Sequence, residues 1–202
     1  KECDWSSDVC SSDLRLLKSE VDEAWRKFFG GEIPDGPSLR LEFPTRWLRI
    51  HALPESKRYA EGEEQYQEIW ARQRTVINEV LDGAEVFLIS SSFSESPKPV
   101  SNPKVRNLGY QSEFWQSFEI EPNESYCHLF TDSIPRNDEN LRHLLRLAAN
   151  DEIANVMLFS MSTGNLLHPY DGGVDIFFAE PGQVEAARQK YKHWLSSRPD
   201  GL

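Results

Sequence analysis

The chain contains no run of 18 apolar residues. That excludes a bilayer-spanning helix, which needs about 20 predominantly apolar residues in succession. Cysteine is scarce: only Cys3, Cys10 and Cys127 occur. The first two lie in the opening segment, leaving Cys127, and one thiol makes neither an internal disulfide nor a four-cysteine zinc site. This usage fits a reducing compartment, so a cytoplasmic location is expected. Also missing are G-x-G-x-x-G, a P-loop, H-E-x-x-H, G-x-S-x-G and C-x-x-C. The common dinucleotide, phosphate, zinc-protease and serine-hydrolase signatures are thus absent. Basic residues are few: 22 Lys and Arg against 33 Asp and Glu, a formal charge of −11. Nucleic acid and anionic membrane both call for basic patches, so neither is expected as a partner. A basic protein is a partner such a charge would attract.

Residues 1–14 show no apolar period, no basic n-region and no apolar h-region, and read as neither a packed element nor a signal peptide. From Cys3 onward they resemble the in-frame translation of a common sequencing-library adapter. The expectation is a foreign, disordered tail at 1–14 and a single domain at 15–202. The tail holds one lysine and four acids, leaving −8 for the 188 residues that follow. A chain of that length buries a core without staples.

Apolar spacing then orders the elements. Leu17, Val21, Ala24, Trp25 and Phe28 recur at helical spacing until Gly30-Gly31. Leu39, Leu41 and Phe43 alternate, predicting a strand over 38–43. Leu48, Ile50 and Ala52 predict another over 46–52, with Trp47, Arg49 and His51 on its other face. Pro44-Thr45 would join the two as a hairpin. Tyr66, Ile69, Trp70, Gln73, Ile77, Val80 and Leu81 form one stripe of a helix over 61–81, closed by Gly83. The run Val86 to Ile89 reads as a buried central strand, and the Ser/Pro-rich stretch 90–107 as a long loop. Strands follow over 114–120 and 125–131. A helix capped by Asn137 or Asp138 turns Leu141, Leu144, Leu145 and Ala148 inward. Strands over 155–161, 166–170 and 174–178 are joined by Ser162-Thr163-Gly164-Asn165 and Asp171-Gly172-Gly173. A last helix opens at Pro181, with Val184, Ala187, Tyr191, Trp194 and Leu195 on one face. The order predicts a single α+β domain. Its sheet is mostly antiparallel, of about six to eight strands, with about four helices packed on it.

Two segments concentrate chemistry. In 50–59, a strand end leads into a polar loop where Ser56, Lys57 and Arg58 are candidates to hold an anion at a helix start. The plainer reading is a helix entry with surface ion pairs to Glu61, Glu63 and Glu64. In 168–175, His168, Asp171 and Asp175 place an imidazole and two carboxylates within eight residues, a composition suited to acid–base or metal chemistry. The plainer reading is a β-turn nucleated by Asp171, with Asp175 facing solvent. Together with His51 these are the candidate catalytic residues. Trp47, Arg49, Lys57, Arg58 and Tyr170 are the candidate binding residues. Trp25, Trp70 and Trp194 read as core, whereas Trp47 and Trp115 beside Arg and Gln read as exposed interface aromatics. Cys127 reads as a small buried residue, because strand alternation turns it away from His128. His143 and His193 read as surface. No metal ligand set and no cofactor is predicted.

The string Trp47-Leu48-Arg49-Ile50-His51-Ala52-Leu53-Pro54-Glu55-Ser56-Lys57-Arg58-Tyr59 resembles the signature of a bacterial family of uncharacterised proteins, domain of unknown function 3885. Tyr66 and Ile69 on their acidic helix, the 87–94 segment and the run His168 to Phe177 fit the same picture, which spans roughly residues 37–197. The resemblance carries no catalytic residue or cofactor onto this chain. It suggests, by association with small acidic bacterial proteins, a toxin-neutralising immunity protein. The leading expectation is a non-catalytic protein-binding module. The alternative is a hydrolase or metal-dependent enzyme using His51, His168, Asp171 and Asp175.

Overall fold

A computed structural model describes residues 6–198 except 84 and 123, together with 201; for 6–17 and 85 it describes the backbone alone. Along the chain run α1 (Ser6–Phe29), α2 (Gly36–Glu42), β1 (Trp47–His51), α3 (Glu63–Val80), β2 (Glu85–Ser94), α4 (Pro103–Arg106) and β3 (Glu113–Glu121). Then come β4 (Ser125–Pro135), α5 (Leu141–Ala149), β5 (Met157–Phe159), β6 (Leu166–Tyr170), β7 (Gly173–Phe177) and α6 (Gly182–Lys190). The strands form one sheet in the order β1-β7-β6-β5-β2-β4-β3, and every neighbouring pair is antiparallel. The α+β class is thus as the tight turns implied. The helix α1 begins at Ser6, within the segment expected to be a disordered tail; the five residues before it lie outside the described residues. Among the described residues no helix is long and apolar enough to cross a membrane.

Both faces of the sheet are covered. On one face Leu48, Ile50, Val86, Leu88, Leu158, Leu167, Val174 and Ile176 meet the stripes of α3, α5 and α6. On the other, Phe87, Ile89, Leu129, Met157, Phe159, Leu166 and Phe177 meet Val21, Trp25 and Phe29 of α1 and Leu39 of α2. Trp25 stacks on Phe29 at 4.5 Å and meets Phe159 edge-on at 5.7 Å. Its Nε1 donates to the Glu32 carbonyl at 2.6 Å, satisfying its one polar atom.

Five expectations need correction. The segment 38–43 is helical: Asp35 caps α2 by accepting from Ser38 N at 3.0 Å, with a proline in the first turn. Leu39 is buried and Leu41 is 79% exposed, so their alternation reflects two sides of a short helix. No hairpin forms through Pro44-Thr45; β1 pairs with β7 instead. The loop expected from 90 is strand as far as Ser94, continuing the β4 ladder to Ser94↔Tyr126. Its serines fit because their hydroxyls find carbonyls, as Ser91 Oγ does at Ala154 O, 2.8 Å away. Trp115, expected exposed, is 2% exposed and packs with Trp25. The α5 cap position falls to Asn140, and Asp138 accepts from its N–H.

Asp132 on β4 is buried, and its Oδ1 accepts from the Gln111 and Ser112 amides at 2.7 and 2.9 Å. Ser112 stands at φ 58, so this carboxylate pins a left-handed residue at the entry to β3. Its Oδ2 has no partner. Burial raises its pKa from 3.8 to about 6, against the pull of the two amides. A raised carboxylate stabilises the fold below its unfolded value and loses that contribution as pH rises through the folded one. Asp132→Asn keeps an acceptor for both amides. Urea unfolding should show it more stable than the parent at pH 7, by on the order of 2 kcal/mol, the gain vanishing near pH 4.

Candidate functional site

The register of three adjacent strands builds a polar cluster on the sheet face that carries α1 and α2. Arg49 lies opposite Asp175, and Asp175 opposite His168; one step along, His51 lies opposite Gly173, and Gly173 opposite Tyr170. Alternation puts Trp47, Arg49 and His51 on one face. Five of the sequence-predicted residues therefore meet: Arg49, His51, His168, Tyr170 and Asp175. Asp171 follows at the β6–β7 turn.

Asp175 is 2% exposed; the expectation that it faces solvent is overturned because both faces of the sheet are roofed. Arg49 grips it with two hydrogen bonds, Nε to Oδ1 and Nη2 to Oδ2, each 2.7 Å. The guanidinium lies over the Tyr170 ring at 4.4 Å and the Trp47 ring at 5.6 Å, a fork held in plane by aromatic faces. Burial pulls the Arg49 pKa down, but the Asp175 bond and charge more than offset it, so it ends above its ordinary value. Burial pushes the Tyr170 hydroxyl well above its usual range.

Both histidines are held neutral. Burial lowers the pKa of His168, opposed in part by Asp175, whose Oδ2 is 4.0 Å from Nδ1. Burial also lowers His51, helped by the charges of Arg49 and Arg72. His51 Nε2 and His168 Nδ1 have no hydrogen-bond partner. Gly36 lies directly against the His168 ring; a Cβ there would stand 2.3 Å from its Nδ1 and Cε1. Asn155 holds that loop down, its Nδ2 donating to Pro34 O at 2.8 Å and its Oδ1 accepting from Gly36 N at 3.3 Å.

The 50–59 segment joins the cluster from the side. Asp171 Oδ2 accepts from Tyr59 Oη at 2.7 Å and pairs with Arg58 Nε at 2.5 Å. Lys57 pairs with Glu61 at 3.0 Å, the surface pairing that the plainer reading expected. Ser56 stands at φ 57, and α3 starts only at Glu63, so the two basic residues lie outside its first turn. A cleft of about 220 Å³ opens above the cluster, bordered by His168, Tyr170, Asp171, Asp35, Asp151 and Phe93. Asp35, Asp151, Gly36, Asn155 and Tyr59 are the site residues that sequence reasoning missed. Asp35 before Gly-Pro-Ser was the one local signal, as a helix cap.

Chemically the cluster is closed. Both Asp175 oxygens are taken by Arg49, and Asp171 is engaged by Arg58 and Tyr59. Among the described residues no three His, Cys, Asp or Glu stand together as a metal site. Cys127 is free and buried, its thiol pushed up to about 12 by burial. His128 is a satisfied core residue, with Ser117 Oγ 2.7 Å from Nδ1 and Ser94 Oγ 2.9 Å from Nε2.

A family model described as Domain of unknown function (DUF3885) matches residues 36–199. No curated protein and no solved structure matches the chain.

Two outcomes follow from the cluster. Arg49→Met leaves a buried carboxylate uncompensated and should cost about 3–5 kcal/mol in denaturant unfolding, whereas Arg49→Met combined with Asp175→Leu should recover most of it. A double mutant as unstable as the single would contradict the pairing. For the histidines, a folded pKa below 6.5 means stability is lost as pH falls through the unfolded value. The loss of stability between pH 7 and 5 should therefore be shallower in His168→Gln than in the parent.

Proposed function

We propose, for a chain that belongs to the family Domain of unknown function (DUF3885), a protein-binding module that receives a basic partner, such as a toxin it neutralises, at the cleft beside Asp171. The observation that carries this reading is the convergence of Asp35, Asp151 and Asp171 with Phe93 and Tyr170 around one opening. Phe93 is 54% exposed, and Tyr59, bonded to Asp171, is 49% exposed. Aromatic surface rimmed by the carboxylates of Asp35 and Asp151 suits a lysine or arginine side chain, which stacks its stem and pairs its head. The charge of −8 over residues 15–202 would speed the encounter with a basic protein. The polar cluster beneath is neutralised by its own pairs, which suits a rigid platform.

The test is affinity capture from the source organism with the full chain and with Asp35→Lys/Asp151→Lys as baits. A basic protein held at about 50 mM salt, released near 500 mM and absent from the variant is the expected result. Capture of nothing, or equal capture by both baits, overturns it.

A second reading, acid–base hydrolysis, has one observation in its favour: His168, Asp175 and Arg49 share a register level, with His51 one step away. It requires the Arg49 fork to release Asp175. Turnover of a panel of nitrophenyl esters that disappears in His168→Gln would favour it.

A further inference from the structure

Across the sheet from α1 and α2, α3 and α5 enclose a cleft of about 310 Å³, within the range of small-molecule sites. Ile69 and Leu145 are buried in its wall. Trp70 and Tyr66 offer aromatic surface, and Arg142 and Arg146 stand at its edge. The decisive residue is Gln73. It is 3% exposed, lines this cleft, and both its Oε1 and its Nε2 lack a hydrogen-bond partner. Buried carboxamides are as a rule satisfied, because an unmade hydrogen bond forfeits the solvation each atom had in water. A helix stripe position beside Ile69, Val76 and Ile77 would be filled more stably by leucine if packing were the only demand.

The two arginines add a charge argument. Arg146 pairs with Glu63 at 2.9 Å and Arg142 with the same carboxylate at 3.4 Å. Two cations thus share one exposed anion, leaving a local positive excess in a chain of net −11. Arg146 also lies over the Tyr66 ring at 3.8 Å, and the Tyr66 hydroxyl donates to Asn150 at 2.6 Å, so this edge is braced.

We propose that this cleft binds a small planar anion that presents an adjacent N–H and C=O, the lactam edge of a pyrimidine or related heterocycle. On binding, the Gln73 amide, whose Oε1 and Nε2 are closed to solvent in this structure, turns to pair with that edge, Trp70 stacks on the ring, and Arg142 and Arg146 take the carboxylate or phosphate. The site is independent of the acidic cleft beside Asp171.

Orotate is the probe, since it carries both the lactam edge and a carboxylate on one ring; uracil lacks the carboxylate and benzoate lacks the lactam. Calorimetric titration of the full chain should show one saturable orotate site, with uracil and benzoate at least about tenfold weaker. Gln73→Leu should reduce orotate affinity to that of benzoate and leave benzoate unchanged. Arg146→Met should weaken orotate and benzoate but not uracil. No saturable orotate binding at millimolar concentration, equal binding of orotate and benzoate, or full retention in Gln73→Leu overturns the proposal. Should Gln73→Leu fail to fold, the order of the three ligands on the unaltered protein decides.

Discussion

Asp175 is a carboxylate in the interior of a sheet, 2% exposed, two positions from Phe177 in an apolar core. Left alone there it would be intolerable, since a buried charge without a partner costs several kcal/mol. Arg49 on the neighbouring strand answers it with both prongs of its fork. The consequence reaches beyond the pair. Among the described residues β1 is an edge strand paired with β7 alone, and a slip of one residue would turn all its side chains over. Such a slip would strand Asp175 and Arg49 at once. The ion pair therefore sets the register that puts His51 opposite Gly173 and Trp47 opposite Phe177. Replacing such pairs by apolar residues often costs nothing in stability; in some systems what is forfeited is uniqueness of pairing.

Close backbone approach completes the same design. At Gly173 any side chain would collide with the Ile50 carbonyl across the β1–β7 ladder, and at Gly172 a Cβ would stand 2.7 Å from the Tyr170 ring. The Asp-Gly-Gly turn is thus required less for its own conformation than for what lies against it. Gly36 serves the same end from the other side, letting the start of α2 rest on the His168 ring, with Asn155 clasping the Pro34 carbonyl and the Gly36 amide on either side of Asp35.

Elements with strong local signals were legible in the chain. The stripe from Tyr66 to Val80, the strands at 166–170 and 174–178 and the turn between them appear where their spacing placed them. The errors came from signals that depend on what lies opposite. Leu39 and Leu41 alternate in a strand or in a short helix, and the Asp35 cap decides between them. The serines of β2 looked like loop because their carbonyl partners lie on distant segments. Asp175 was assigned to solvent on the assumption that one sheet face is wet, and a sheet covered on both sides gives alternation no such meaning. The candidate site was legible as a list of residues. Its geometry was not, because Arg49 and Asp175 lie 126 positions apart. Gln73 was read as one more member of an inward stripe, which is where it lies; only the absence of partners for its amide sets it apart.

The sheet order carries a further consequence for how the molecule comes into being. The strand nearest the start of the chain, β1, is zipped to the last one, β7, and β5 must slot between β6 and the early strand β2. During synthesis on the ribosome, β1 emerges long before its neighbour exists, and its Trp47 and Ile50 wait with no sheet to join. Closure at that edge is necessarily among the final events of assembly. A topology so rich in distant pairings has high contact order and belongs with the slower folders.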